Sequence, residues 1–355
     1  MNGYHMKTIS LSVVFVVLCT YMYALNSFEV KVVPQKLVNQ YYKSSIKVDL
    51  PRETYRVTIK AINEQKDVTN YLQDILNRHQ SVLLPNTRIE ISKQGLRIPS
   101  NRNVYFDKNT LIVFTGIAKG RLDDVIKIYD VSNVKIYNAR IQGSRNLPGQ
   151  AGEWSAGISI LNSNNIYIDN AHIYDTWGDG LFVGSENNGV SKDIIIKNVW
   201  IDKARRNAIS VTSAINASIS NVLLSNTNGT LPECGVDVEP SLFGEYIQNV
   251  KFKNLYSYNN KNAAFNINLS SFNTDNKQYQ EAVSIELQDF YDEFSSGFVG
   301  LNINNYKNKF TPSGKIRIFN GFSDSEKHNV ELNRKKIESN IEISYGNLKK
   351  KDSKN

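Results

Sequence analysis

A chain of 355 residues with 41% hydrophobic and 21% charged side chains is neither disordered nor embedded throughout in a membrane, and its length points to two domains or one elongated repeat. Two cysteines exclude a disulfide-stapled scaffold, and no Cys/His spacing suits a structural zinc. The formal charge of +8 favours acidic partners, such as uronate-rich glycans or an anionic surface, over cationic ones.

Lys7 followed by the apolar stretch Ile9–Ala24 reads as a secretory signal peptide over residues 1–24. The expected location is therefore secreted or periplasmic, with an uncleaved anchor as the alternative because Met22 is a poor residue three positions before a cut. Met6 is an alternative start. Cleavage would remove Cys19 and leave Cys234 alone, so no internal disulfide could form. Residues 25–59 form an N-terminal extension. Asp67 then suits a helix N-cap, and Val68, Leu72, Ile75 and Leu76 share one helical face. Entry strands follow at Ser81–Leu84, Ile89–Ile91 and Leu96–Ile98. From about residue 100 onward short strands dominate. A polar insertion occupies 270–282, and strands resume at Val283–Ile285, Leu301–Ile303, Ile316–Ile318 and Ile341–Ile343 in a degraded repeat that does not assign coils. Residues 346–355, with Lys349, Lys350, Lys351 and Lys354, read as a solvated basic tail. No basic run interleaved with aromatics occurs elsewhere, so no nucleic-acid partner is expected.

Three series of apolar triplets recur between residues 126 and 267. The first holds Ile126–Ile128, Ile158–Ile160, Leu181–Val183, Ile209–Val211, Val236–Val238 and Phe265–Ile267. The second starts at Val134, Ile166, Ile194, Ala217 and Val250, and the third lies five residues further on each time. Each third-series triplet is preceded by Asn138, Asn170, Asn198, Asn221 or Asn254, a residue that tolerates the left-handed backbone of a tight turn and can hydrogen-bond as a ladder when stacked. From Ile158 the first-series starts lie 23 to 29 residues apart, a solenoid period. Inward apolar flanks with outward middles, three strands per period, specify an all-β parallel β-helix over residues 60–345. The helix after Asp67 is expected to cap its open end.

The stretch Asp67-Val68-Thr69, the amphipathic helix, Val82-Leu83-Leu84-Pro85 and Leu96-Arg97-Ile98-Pro99-Ser100-Asn101 resembles the entry region of pectate-lyase-superfamily proteins. The coils look like those of right-handed, single-stranded β-helix enzymes such as polygalacturonases, pectate lyases and alginate epimerases. The resemblance implies a sugar chain held across one outward face near mid-length. Gly178-Asp179-Gly180 is similar to the acidic turn of polygalacturonases, although the paired aspartates are missing, and Arg206-Asn207-Ala208 stands where their Gly-His-Gly turn has a histidine.

Charged and aromatic residues on adjacent coils mark the candidate site: Asp179, Asp237 and Glu239 as catalytic carboxyls, with Trp177, Arg205, Arg206, Asn207 and Ser210 as substrate-binding residues. Asp237 is the outward middle of its triplet. Glu239 lies two residues on, roughly 6.6 Å along the strand, and Asp179 lies two rungs away, roughly 9.6 Å. These spacings approach the wider carboxyl separation of inverting hydrolases, roughly 6.5–9.5 Å. Arg205 and Arg206 could instead neutralise a uronate in a lyase or C5-epimerase, and Trp177 could stack on a sugar. The expected function is cleavage of an acidic polysaccharide, hydrolytic slightly ahead of eliminative or epimerising, with a non-catalytic glycan-binding surface protein as the third reading. No cofactor is required, though Asp175 and Asp202 leave calcium open. A monomer without a protein partner is expected. His172, in the outward middle of the third series, reads as a surface residue, and no histidine lies near Ser210 for a serine triad.

Overall fold

The computed structural model describes residues 28–187, 189–242, 244–272, 283–303, 313–324, 330–333 and 340–350. The signal-peptide expectation, most of the polar insertion and residues 351–355 lie outside these. The chain divides into two units at Lys31/Val32, and the second contains the whole solenoid.

Two parallel ladders run along that unit. The short ladder stacks nine strands, among them Ile158–Leu161, Leu181–Gly184, Ile209–Val211, Val236–Val238 and Ala263–Asn268. Its register places Ser159, Phe182, Ser210, Asp237 and Asn266 above one another. The flanking residues of these triplets, such as Ile209, Val211, Val236 and Val238, are buried in one continuous apolar core. Period-2 alternation is what sends the middles outward.

In the first coil the second and third sequence series are separate strands, Ser132–Tyr137 and Arg140–Gln142, but from Asn164 onward they are not. They fuse into single strands of 11 or 12 residues, such as Asn164–Tyr174, Ser191–Asp202 and Ala214–Ser225. Each is bent at an asparagine in the left-handed region, Asn170, Asn198, Asn221 or Asn254, and Asn138 turns the chain between the two shorter strands; the five have φ between 53° and 61°. The asparagines do form a ladder, with Asn221 donating to Asn198 (2.5 Å) and Asn254 to Asn221 (2.8 Å). It is interrupted at Asn198, which donates to Asp169 (2.6 Å). Asn170 makes the next rung with Asn138 (2.7 Å) and also pairs with Lys43, donating to its carbonyl (2.9 Å) and accepting from its amide (3.0 Å).

Lys43 belongs to the N-terminal extension, which acts as a strap. Its helix Gln35–Tyr41 buries Leu37, Val38 and Tyr41 against the outward residues Leu223 and Tyr258. Ile46 pairs with Asn138 through both amide and carbonyl (2.8 and 3.0 Å), and Tyr55–Arg56 joins the long ladder at Val82–Leu83. The strap thus runs back over the outside of the coils. It also corrects the reading of His172. That ring stacks on Trp200 (4.0 Å) and meets Tyr42 of the strap (5.4 Å). Burial, followed by the charges of Arg140 and Lys203, pushes its pKa down to about 3.

At the N-terminal end the helix Val68–Arg78 is capped by the Asp67 side chain, which accepts from the Asn70 amide, and it buries Thr69, Leu72, Ile75 and Leu76. At the other end the repeat persists. Val283–Glu293, Ser313–Ser323 and Asn340–Lys350 continue the long ladder, with one shift of register between Ile247 and Val250. Lys349 and Lys350 are therefore strand residues and not a tail.

Candidate active site

The short-ladder face carries a cleft of about 170 Å³. Asp179, Arg206, Ser210, Asp237 and Glu239 all line it. Asp179 sits between two glycines because there is no room for side chains beside it. A Cβ on Gly180 would stand 2.3 Å from the Ile201 side chain, and one on Gly178 would stand 2.6 Å from the Trp154 backbone. The second close approach draws the Glu153–Trp154 segment over Asp179.

Arg206 is the hub. Its Nη1 donates to Asp179 Oδ2 (3.2 Å) and to Ser210 Oγ (3.3 Å). Its other nitrogens lie 3.6 Å from Glu239 and 3.7 Å from Glu153. Asn207 ties the two aspartates together: its amide donates to Asp179 Oδ1 (3.0 Å) and its side chain to Asp237 Oδ2 (3.2 Å) and Ser210 Oγ (3.0 Å). Asn207 Oδ1 accepts from the Cys234 amide (3.0 Å). With 0% exposure and every polar atom engaged, Asn207 cannot reach a substrate, and its role becomes positioning. Asn266 donates to Asp237 Oδ1 (2.8 Å), and Asn268 donates to Glu239 Oε1 (2.7 Å).

The two aspartates sit in different electrostatic settings. Burial raises both, because a dry surrounding disfavours the charged form. For Asp237, burial and then the neighbouring Glu239 charge push the carboxyl up to about 7 against the Asn266 hydrogen bond and Arg206. For Asp179 the upward push of burial is opposed first by the directly paired Arg206, then by the Ser210 and Asn207 hydrogen bonds. Asp237 is thus outward of the apolar core and 1% exposed, held in the floor of the cleft.

Trp177 and Arg205 stand elsewhere. The Arg205 guanidinium stacks 3.7 Å over the Trp177 ring. Trp177 Nε1 donates to the carbonyls of Ala151 (3.2 Å) and Gly152 (3.1 Å), and Arg205 donates to Gly152 (3.1 Å). The pair braces the loop that delivers Glu153 and Trp154, and neither residue lines the cleft. The uronate reading needs an available cation; Arg205 does not line the cleft and Arg206 is already surrounded by carboxylates. Of the two carboxylates considered for calcium, Asp202 already has partners. Asp202 accepts from Ser225 (2.7 Å) and Asn226 (2.9 Å) and lies 3.4 Å from the Lys203 ammonium. Among the described residues no group of three or more His, Cys, Asp or Glu side chains is placed to hold a metal ion.

Sequence reasoning missed Asp124, Arg121, Glu153, Trp154 and Glu186, which line the same cleft. Asp124 is detectable: it precedes Ile126 by two residues, the place Asp179 holds before Leu181. It is fully buried, accepts from the Ala156 amide (2.6 Å) and from the Tyr129 hydroxyl, and burial raises it to about 6. The others come from irregular loops that the repeat does not index.

Comparison with known proteins agrees with the architecture. The model of a family described as right handed beta helix region matches residues 75–242. The uncharacterized protein YclG of Bacillus subtilis (strain 168) is 27% identical over 162 residues, 41% of this chain and 27% of YclG, so the match spans about a quarter of that relative's length. Among solved structures, PfbA, a surface adhesin of Streptococcus pneumoniae, superposes with a TM-score of 0.58 at 13% identity, covering 83% of this chain and 82% of PfbA. The polygalacturonase of Erwinia carotovora ssp. carotovora superposes with a TM-score of 0.53 at 14% identity, covering 87% and 88%. The fold is that of the right-handed parallel β-helix proteins. An adhesin and a hydrolase share it, so the fold leaves function to the site.

Proposed function

We propose that this chain is a glycoside hydrolase acting on a polysaccharide, exported by its N-terminal segment, with Asp237 as general acid and Asp179 as the base that activates water. The observation that carries the reading is a pair of buried carboxyls, open to one cleft and set apart electrostatically: one raised to about 7, the other paired with Arg206. Burial raises both carboxyls, and the Arg206 guanidinium favours the ionised form of Asp179, which supports Asp237 as the acid and Asp179 as the base. Asn207 and Asn266 each donate to one oxygen of Asp237, which leaves a remaining lone pair for a proton directed into the cleft. Glu239 contributes the nearby negative charge that keeps that proton on.

Hydrolysis suits this arrangement better than elimination or epimerisation. Both alternatives need a free cation to neutralise a uronate carboxylate while the adjacent proton leaves, and Arg206 faces Asp179, Glu239 and Glu153 within 3.7 Å. A two-rung offset between the Asp179 and Asp237 coils, roughly 9.6 Å at the backbone, leaves space for a water and favours inversion.

The test is turnover of a polysaccharide panel by the wild type and by Asp237→Asn. Loss of about 10²- to 10⁴-fold in kcat is expected for removal of a general acid, with products released in the inverted anomeric configuration as read by NMR. Undiminished turnover by Asp237→Asn removes that residue from the mechanism. A new C=C absorbance in the product establishes a lyase instead. Retention of a glycan with no product after long incubation makes the cleft a binding groove.

A further inference from the structure

The charge inside the cleft departs from that of the whole chain. The chain is basic, yet the cleft is lined by six carboxyl groups (Asp124, Glu153, Asp179, Glu186, Asp237 and Glu239) against two guanidiniums, Arg121 and Arg206. Both guanidiniums have partners within the wall. Arg121 lies 3.0 Å from Glu186, and Arg206 is shared by Asp179, Glu239 and Glu153. Even with Asp124 and Asp237 protonated, four carboxylates face two cations. The next cations along the coils, Lys127 and Arg97, are themselves set beside acids: Lys127 beside Asp124 and Asp123, and Arg97 at 3.7 Å from Asp130.

A carboxylate brought into this space meets net repulsion in a partly dry setting, where Coulomb interactions are strengthened. It would also have to compete with three carboxylates for Arg206. A sugar without a carboxylate has the opposite experience. Its hydroxyls can donate to the ionised acids, and the hydroxyls of Ser159, Ser210, Thr212 and Ser241 line the same walls. Trp154, 43% exposed at the rim, and Phe182 offer apolar surface to the C–H faces of a sugar ring.

We propose that the sugar unit bound against Asp179 and Asp237 is uncharged and that the cleft discriminates against uronates. This rests on reading the cleft as a glycan site, and it replaces the acidic polysaccharide expected from net charge.

The experiment uses the full-length protein on an array that holds polygalacturonate and alginate oligosaccharides beside their carboxyl-reduced counterparts, together with xylan, galactan and glucan oligosaccharides. Reduction removes the charge and keeps the linkage. Cleavage is read with the wild type and retention with Asp237→Asn, so binding and chemistry are scored separately. The expected result is at least tenfold better retention or kcat/KM on uncharged members than on uronate members. Preference for a uronate over its reduced partner in either readout overturns the inference, and hydrolysis stands if the wild type cleaves that uronate. Retention of uncharged members with no cleavage by the wild type upholds the inference and removes the hydrolase reading. No retention and no cleavage of any member overturns both. A second variant reads the cause: Glu153→Gln with Glu186→Gln should narrow the discrimination about two- to fivefold per charge removed, and 1 M salt should narrow it too. An unchanged ratio in that variant overturns the electrostatic argument even where the neutral preference holds.

Discussion

Asp237 shows how a residue can be both destabilising and useful. A carboxyl with a folded pKa of about 7 and an ordinary unfolded value of 3.8 binds more protons when folded throughout that interval. Stability must therefore fall as pH rises from about 4 to about 7. Removing the group removes that dependence. The melting temperature of Asp237→Asn, relative to wild type, should rise as pH goes from 4 to 8, by the equivalent of roughly 2–4 kcal/mol in total. A constant difference between the two melting curves across that range means that the carboxyl is ordinary in the folded state. The same group sets the activity profile: as general acid it must hold its proton, so kcat should decline on the alkaline side with a midpoint near 7. Both effects were partly legible in the sequence. The outward position of Asp237 follows from its apolar neighbours, but its near-complete burial required Asn207, Asn266 and the Glu153–Trp154 loop, none of which neighbours it in the chain.

The strap is where a whole element changed the meaning of a residue. The third-series middles His172, Trp200, Leu223 and Tyr256 alternate with the apolar core positions, and alternation alone reads them as exposed. The extension covers them with Leu37, Val38, Tyr41 and Tyr42, and the covered imidazole stays neutral, its Nε2 without a hydrogen-bond partner. Its pKa of about 3 lies below the unfolded 6.5, so the unfolded chain takes up the proton first. The stability His172 contributes is complete above pH 6.5 and is lost as pH falls toward 3. His172→Phe keeps an aromatic ring in the stack and should abolish this term. On moving from pH 7 to pH 5 the wild type should lose about 2 kcal/mol more than the variant, measured by urea unfolding. Equal losses would mean that water reaches the ring. Ile46-Lys47-Val48-Asp49-Leu50 alternates as a strand would, but nothing in residues 25–59 announces a strap, because its partners Asn138, Asn170 and Tyr258 on the coils lie 92 to 226 residues away.

On the scale of the molecule, each coil touches only the coils beside it, and stability is a chain of nearest-neighbour terms. A cavity made far along the stack should therefore be felt locally. Ile318 is fully buried on the strand Ser313–Ser323. Ile318→Ala should cost about 2–5 kcal/mol where it sits and raise amide exchange in the C-terminal coils, while the coils of Asp179 and Asp237 keep wild-type protection. Uniform loss of protection along the whole stack would mean that the solenoid unfolds as one cooperative block. The site lies at mid-length and the cap helix closes the N-terminal end, so end fraying is kept away from the carboxyls.

Sequence alone determined the coil. The triplets, the fixed five-residue offset and the asparagines are local properties of a repeating chain, since each coil must present the same apolar flanks and the same left-handed bend to its neighbours. It also chose Asp179, Asp237, Glu239 and Arg206, because equivalent positions in successive repeats become neighbours in space. Tertiary structure decided what the repeat does not encode: that Trp177 and Arg205 brace a loop from behind, that Asn207 is buried as a tether, and that Arg206 is surrounded by acids. The physical reason is that charge and burial are sums over everything nearby, and at this cleft much of what is nearby arrives on irregular loops.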